Sequence, residues 1–148
     1  LNTGLRFVDI NQLAWKNIDM NRKQLRLRQT KVKNSSKAFV IIDLNTNAMQ
    51  ILKLKTKGQP KDKIFTLPGA NGSNGVLKRW VKKAEITKHI TWHCARHTFA
   101  TNLLMTNANI KTVSGLLGHS GLKHTEKYVH LVDELKKKAV DSLPKIDL

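Results

Sequence analysis

The pattern of apolar and polar positions predicts a mainly helical chain. Ala95, Phe99 and Leu103 recur every four residues, which is typical of the buried face of a helix, and Thr91 is a residue type that caps helix N-termini. The same periodicity predicts further helices around 7–14 and over 45–54, 76–84, 110–117, 123–129 and 131–140.

A β-hairpin is predicted in the first third of the chain. In 24–30 leucines alternate with arginines, as in a half-buried strand, and 38–42 is a second, apolar strand. The segment between them is rich in turn-forming residues, so the two strands are expected to pair antiparallel. Residues 64–66 are a further candidate strand, and 68–75 are predicted to form a loop.

Three lysines cluster around the tip of the predicted hairpin, namely Lys31, Lys33 and Lys37. A basic hairpin tip has a suitable shape to enter a DNA groove. It is equally typical of an exposed loop with ordinary solubilising lysines, and the composition of the segment leaves both interpretations open.

Arg96 has an unusual position on its predicted helix. At about 100° per residue it falls at the edge of the apolar face, beside Ala100 and Leu103, and not on the solvent side. A guanidinium in that place needs a fixed anionic partner, either a carboxylate or a phosphate. His93 lies three residues earlier on the same side of the helix.

The composition favours nucleic acid as the partner. The chain has 148 residues, enough for one domain, with 27 Lys and Arg against 10 Asp and Glu, which gives a formal net charge of +17. An anionic membrane surface is the weaker alternative, because no apolar run approaches the length of a transmembrane helix and no signal peptide opens the chain. Aromatic residues make up only 5%, so contact with duplex phosphates is favoured over stacking on unpaired bases.

The single cysteine, Cys94, excludes an internal disulfide and fits a reducing, cytoplasmic setting.

The polar residues that need an explanation contain no carboxylate. They are Arg6, the hairpin lysines, His93, Arg96, His119 and Tyr128. This set argues against a two-carboxylate hydrolase or a carboxylate-bound magnesium site, and it suits a metal-free reaction at a phosphodiester. Guanidiniums can stabilise the charge on phosphate oxygens, a tyrosine can be the nucleophile and a lysine can protonate the leaving oxygen.

A zinc site is the competing interpretation. His93 and His97 are four residues apart, and His89 lies four residues before His93. A His-x-x-x-His pair on a helix can bind Zn²⁺. No glutamate follows His93, however, and Arg96 would place a guanidinium beside the dication. Each histidine taken alone is more typical of a buried, hydrogen-bonded side chain, and Tyr128 alone of a core aromatic, so the chemical interpretation depends on the whole set.

Three motifs follow one another in the second half of the chain. They are His93-x-x-Arg96-His97-Thr98-Phe99-Ala100-Thr101, Leu116-Leu117-Gly118-His119-Ser120 and Thr125-Glu126-Lys127-Tyr128. In content, order and spacing they resemble the C-terminal signature of the tyrosine recombinases, the phage integrase family. Near the start, Thr3-Gly4-Leu5-Arg6 followed by Asp9 resembles the first arginine motif of that family.

The resemblance implies a role for each of the residues at the phosphate. Arg6 and Arg96 would clamp the scissile phosphate, and Tyr128 would attack it to form a 3′-phosphotyrosyl link and free a 5′-hydroxyl. His119 would hydrogen-bond the phosphate in the transition state. The energy of the broken bond would stay in the phosphotyrosine, so neither a metal, nor ATP, nor any other cofactor would be needed.

The resemblance also implies how protons move and which residues meet DNA. His93 would assist proton transfer, and a lysine of the hairpin would act as general acid, with Lys31 the best match and Lys33 the alternative. The residues expected to contact DNA are Lys31, Lys33, Lys37, Arg6 and Arg96.

The fold implied is α+β, a mostly helical catalytic domain with a small antiparallel sheet near its N-terminal side. The resemblance runs from Thr3 to about Val132, and 1–148 is expected to be a catalytic-domain fragment without the N-terminal DNA-binding domain and the first catalytic helix. The implied partner is a duplex recombination site, bound by a homotetramer that is a monomer or weak oligomer without DNA, in the bacterial cytoplasm and with no membrane contact. The alternatives are a type IB topoisomerase, which shares the chemistry, and a basic DNA-binding module without catalysis.

Overall fold

The computed structural model describes residues 1–29 and 39–144. The helices within these ranges are α1 (Phe7–Asn11), α2 (Thr46–Lys53), α3 (Ala70–Lys83), α4 (Trp92–Met105), α5 (Ile110–Leu117) and α6 (Lys123–Asp141). The strands are β1 (Ile18–Asp19), β2 (Gln24–Arg28) and β3 (Phe39–Asp43), and a 3₁₀ turn lies at Trp15–Asn17. The predicted α+β class, mostly helical with a small sheet near the N-terminal side, is confirmed.

The sheet is antiparallel, in the order β1-β2-β3. Leu25 pairs with Ile42 and Leu27 with Val40, and all four side chains are buried on one face. This is the face that the alternating sequence pattern predicts. The short strand β1, which the pattern did not predict, extends the hairpin on the side of β2.

Apolar side chains form two cores. The first joins the buried face of the sheet to α2, whose N-cap Asn45 accepts a hydrogen bond from the backbone N–H of Ala48 at 2.9 Å. The second lies between α4, α5 and α6 and includes Ala100, Val113 and Tyr128. Because α5 also contacts β3, its C-terminal end lies where the two cores meet.

The prediction of a loop over 68–75 is wrong from Ala70 onward, because α3 begins there and not at 76. The Ser73 hydroxyl donates to the Pro68 carbonyl at 2.9 Å, and the Ser73 N–H donates to the carbonyl of Gly69 at 2.9 Å. These bonds organise the first turn although the helix contains two glycines, Gly72 and Gly75, which each cost about 1 kcal/mol relative to alanine.

Three further expectations about elements are corrected. The predicted helices 123–129 and 131–140 are one continuous helix, α6, because no glycine or proline separates them. Residues 64–66 do not form a strand, and only an isolated bridge joins Ala14 and Lys63. The first helix ends at Asn11, before the last apolar positions that suggested it.

In the described ranges 1–29 and 39–144, no helix combines the length and the apolar character needed to cross a membrane.

Candidate active site

Arg96 is buried within α4 and is held by two main-chain carbonyls. Its side chain is 2% exposed; Nη1 donates to the Gly4 carbonyl at 2.6 Å and Nη2 to the Leu117 carbonyl at 2.7 Å. Burial, and next the positive charge of Arg6, lower the pKa of Arg96 to about 10, so it stays protonated at neutral pH. Two neutral carbonyls therefore fix the guanidinium, and the negative charge of Asp9 also acts on it and raises its pKa.

Each of the two carbonyls lies at a glycine with left-handed backbone conformation: one is the carbonyl of Gly4 itself, and the other, of Leu117, directly precedes Gly118. Gly4 has φ +61° and Gly118, directly after α5, has φ +62°. A Cβ on Gly4 would collide with the ring of Phe99, so the chain can pass this close to α4 only without a side chain. The Leu117 carbonyl belongs to the C-terminal end of α5, where unpaired carbonyls carry partial negative charge and favour a cation.

Arg6 reaches the same carbonyl through a glutamine. Nη1 of Arg6 donates to Oε1 of Gln29 at 2.8 Å, and Nε2 of Gln29 donates to the Leu117 carbonyl at 3.0 Å. Gln29 is fully buried, one residue beyond β2. The sequence pattern contained a signal for it, because Gln29 continues the inward register of Leu25 and Leu27 as a polar residue.

His93 lies one turn before Arg96 on α4 and is exposed. Together with Arg6 and Arg96 it lines an open cleft of about 260 Å³. The cleft gives solvent, or a ligand, access to both arginines from one side.

Tyr128 projects from α6 into the second core and is 3% exposed. Its hydroxyl oxygen lies 2.9 Å from Nδ1 of His97, the residue after Arg96. Burial raises the pKa of Tyr128, while the nearby charges of Arg96 and Arg6 act in the opposite direction.

Burial, and next the charge of His93, lower the pKa of His97, which keeps its imidazole neutral at pH 7. A neutral imidazole can accept the proton of a phenol. The sequence pattern indicated His97 only as a zinc candidate, since a contact between residues 97 and 128 leaves no periodic signal.

His119 follows Gly118 at the end of α5, and its Nδ1 lies 2.7 Å from the hydroxyl oxygen of the fully buried Thr125. Burial, followed by the charges of Arg96 and Arg6, lowers the pKa of His119 to about 4. The imidazole is therefore neutral at pH 7, able to form a hydrogen bond to an anion without adding a charge.

The phage integrase family model matches residues 1–134. This chain belongs to the phage integrase family. Tyrosine recombinase XerA of Saccharolobus solfataricus is 36% identical over 137 residues, which cover 92% of this chain and 45% of that protein. A tyrosine recombinase of Thermosipho africanus is 33% identical over 148 residues, with 95% and 50% covered. The chain spans about half the length of these curated relatives.

Solved structures of recombinases and integrases have the same fold. A crystal structure of XerA recombinase matches with a TM-score of 0.74 at 24% identity, covering 98% of this chain and 56% of that one. The Tn1549 transposon integrase in complex with circular intermediate DNA matches with a TM-score of 0.71 at 24% identity, covering 86% and 51%. The catalytic domain of bacteriophage HP1 integrase matches with a TM-score of 0.66 at 22% identity, covering 97% and 77%.

For this integrase-family chain, five predicted site residues lie around the ends of α4 and α5. They are Arg6, His93, Arg96, His119 and Tyr128. The three predicted hairpin lysines, Lys31, Lys33 and Lys37, fall outside the described residues. Two further residues that hydrogen-bond within this site, Gln29 and His97, are absent from the predicted set of site residues.

The zinc interpretation requires a third ligand near His93 and His97, whose rings are packed edge to face at 4.5 Å. In the described part of the chain no three His, Cys, Asp or Glu side chains are grouped to share a metal ion. The Nδ1 atom of His97 contacts Tyr128 instead.

Proposed function

We propose that this chain is the catalytic part of a site-specific DNA recombinase that breaks and rejoins strands through a phosphotyrosine. The observation that carries the proposal is the position of the Tyr128 hydroxyl in the field of two arginines that hydrogen bonds hold in place, Arg6 and Arg96. The family membership and the names of the relatives, tyrosine recombinases, support the same conclusion.

In the proposed reaction the Tyr128 oxygen attacks the scissile phosphorus. A phosphorus–oxygen bond to Tyr128 forms as the bond to the 5′ oxygen breaks, which leaves a 3′-phosphotyrosyl strand and a 5′-hydroxyl. The phenol proton passes to an imidazole, for which His97 is in hydrogen-bond contact and His93 lines the cleft. Attack of a 5′-hydroxyl on the phosphotyrosine then restores the DNA strand, so the cycle needs no ATP and no metal.

The general acid is proposed to be Lys31, with Lys33 as the alternative. The leaving 5′ oxygen takes the proton of the ammonium group. Gln29, two residues before Lys31 in the sequence, donates and accepts hydrogen bonds within the site, which supports a place for Lys31 near the phosphate. Lys33 and Lys37 are proposed to contact the flanking duplex.

The arginines and His119 are proposed to stabilise the transition state. As phosphorus becomes five-coordinate, negative charge grows on its non-bridging oxygens, and preorganised donors act most strongly on that charge. Arg6 and Arg96 provide cationic donors, and the neutral imidazole of His119 can donate a hydrogen bond.

The proposed partner is duplex DNA at a recombination site, which fits the net charge of +17. Solved structures with this fold include transposon integrase and XerH recombinase bound to DNA. We further propose a homotetramer on DNA, an N-terminal DNA-binding domain elsewhere in the gene product, and action on the nucleoid in the cytoplasm.

The experiment that tests this function is covalent capture. The full-length gene product containing this chain is mixed with a pool of nicked duplexes of random sequence, in which a nick near the cleavage point lets the 5′-hydroxyl fragment diffuse away. We expect a denaturant-resistant protein–DNA adduct whose captured sequences share one site. Tyr128→Phe keeps the ring and should give no adduct.

Three outcomes would contradict the proposal. Adducts in Tyr128→Phe would show that another residue is the nucleophile. Tight duplex binding without any adduct in the wild type would instead favour the non-catalytic DNA-binding module. Adducts with no exchange between two captured sites would favour the type IB topoisomerase alternative.

A further inference from the structure

Gln29 is a fully buried polar side chain in the site that takes no chemical part in the proposed reaction. Its amide is engaged at both ends, since Oε1 accepts a hydrogen bond from Arg6 and Nε2 donates one to the Leu117 carbonyl. A buried amide with both hydrogen bonds formed has one orientation only. Rotating it by 180° would place its NH₂ group against the Arg6 donor and its oxygen against the Leu117 carbonyl oxygen.

The Leu117 carbonyl links Gln29 to the second arginine. It accepts from Nε2 of Gln29 at 3.0 Å and from Nη2 of Arg96 at 2.7 Å. An unbroken series of hydrogen bonds therefore runs from Arg6 through Gln29 and the carbonyl to Arg96. The charge of Arg6 acts unfavourably on that of Arg96, and this series of hydrogen bonds links the two guanidiniums in spite of it.

Gly118 fixes the other side of the glutamine. A Cβ at Gly118 would collide with the Gln29 amide, so the backbone after α5 lies directly against it. The amide thus has little room to adopt another rotamer.

The neutrality of the amide matters as much as its shape. A glutamate in this place would bind Arg6 more strongly, but its negative charge would lie between two guanidiniums in a buried setting, where charges interact strongly. It would offset the positive charge that the phosphate has to meet. A glutamine orients the arginine and leaves that charge available.

We propose that Gln29 is a positioning residue that holds Arg6 and Arg96 in register for one phosphodiester without placing a negative charge between them. The inference rests on the proposed function, since it needs a phosphate at the cleft. It predicts that the two properties of Gln29, hydrogen bonding and neutrality, can be removed separately.

Two substitutions separate these properties, and a third is the matched control. Gln29→Met keeps the length and neutrality but loses both hydrogen bonds, whereas Gln29→Glu keeps an acceptor for Arg6 and adds a charge. Gln24→Met is the control, because Gln24 lies on the same strand and donates to Asp43 at 2.8 Å, at the far end from the site.

The substrates are the captured nicked duplex and the same duplex with a methylphosphonate at the scissile position. The methyl group replaces one non-bridging oxygen and removes the negative charge that the arginines would meet. Single-turnover adduct formation by the full-length protein is measured on both.

On the phosphodiester we expect Gln29→Met to lower the rate by about 10- to 100-fold, because small misplacements of a positioned group have effects of this size. Gln29→Glu should lower it at least as much, although it keeps a partner for Arg6. On the methylphosphonate the loss in Gln29→Met should be much smaller, and Gln24→Met should match the wild type on both. Equal losses in Gln29→Met on the two substrates, or a wild-type rate in Gln29→Glu, would overturn the inference.

A second measurement does not depend on DNA cleavage. The ¹⁵Nε signal of the Arg6 guanidinium should report an ordered side chain in the wild type and in Gln24→Met, and a mobile one in Gln29→Met. An unchanged Arg6 signal in Gln29→Met would overturn the positioning role. A wild type that forms no adduct would overturn the proposed function instead, so the two failures are distinguishable.

Discussion

The Nδ1 atom of His97 lies 2.9 Å from the hydroxyl oxygen of Tyr128, across the contact between α4 and α6. This hydrogen bond ties the proposed nucleophile to the helix that carries Arg96. Since the pKa of His97 is lowered, its imidazole can act as the acceptor at neutral pH.

Removing this hydrogen bond should slow adduct formation. His97→Leu leaves the Tyr128 hydroxyl without its partner, which costs about 1–3 kcal/mol for a buried group and lets the phenol turn away. His97→Asn places an amide near the Nδ1 position and should retain more of the rate. The measurement is single-turnover adduct formation on the captured duplex. His130→Leu, an exposed histidine on α6, is the control, and a rate in His97→Leu equal to that of the control would contradict the prediction.

The pKa of His119, lowered to about 4, predicts an acid-sensitive fold. The unfolded chain binds the proton near the ordinary pKa of about 6.5 and the folded protein only near 4, so the unfolded state holds more protons between these values. The contribution of His119 to the free energy of unfolding should therefore be constant above this window and fall as the pH drops through it. His97, whose pKa is also lowered, contributes with the same sign.

Urea unfolding at several pH values between 7 and 4 measures this effect. His119→Gln should flatten the pH dependence of the free energy of unfolding in this window, and the dependence that remains should come from His97. His130→Gln should leave the pH dependence as in the wild type. A slope that His119→Gln does not change would show that the titration of His119 is not coupled to folding.

Two glycines of one segment are expected to respond oppositely to alanine. Gly118→Ala forces a side chain into the left-handed region and against Gln29, and should destabilise the protein by at least about 1 kcal/mol. Gly115 lies inside α5, where an added Cβ would meet no atom within 4 Å. Gly115→Ala should therefore stabilise the protein by up to about 1 kcal/mol. Thermal unfolding of both variants checks the pair, and a destabilising effect of equal size at both positions would refute it.

The proposed tetramer predicts a role for the distal half of α6. Leu131 and Leu135 are each 43% exposed and lie one turn apart, so they form an apolar stripe that a neighbouring subunit can cover. Replacing both with glutamine should reduce assemblies larger than one protomer on DNA and leave adduct formation by single protomers unchanged. Sedimentation of the DNA complex measures this, with Glu134→Gln on the same helix as the control. An unchanged distribution of species would remove this stripe as the contact.

Elements with a regular apolar pattern were predictable from the sequence. Strands β2 and β3 and helices α2 and α5 follow directly from their periodicity and end residues. The start of α3 was not predictable, because Gly72 and Gly75 are typical turn residues and the bonds around Ser73 that organise the helix are visible only in the structure. The continuity of α6 was missed because an irregular apolar pattern around His130 resembles a boundary although it contains no helix breaker.

The candidate site was only partly predictable for a related reason. Motif spacing identified the arginines, His119 and Tyr128, whose roles stay predictions until adducts are measured. Arg96, however, is held by the main-chain carbonyls of Gly4, which is 92 positions away, and of Leu117, which is 21 positions away. Gln29 contacts the same Leu117 carbonyl from 88 positions away. Contacts over such distances leave no periodic trace, and carbonyl acceptors do not depend on residue type, so the sequence does not display them.

The use of main-chain carbonyls to hold Arg96 has a consequence for how such genes diverge. Substitution at position 117 among apolar residues leaves the carbonyl in place, whereas Gly4 and Gly118 each have a conformation that other residues rarely adopt. Selection for a folded site should therefore restrict the residue type at Gly4 and Gly118 more tightly than at Leu117, although Leu117 supplies the carbonyl that holds Arg96.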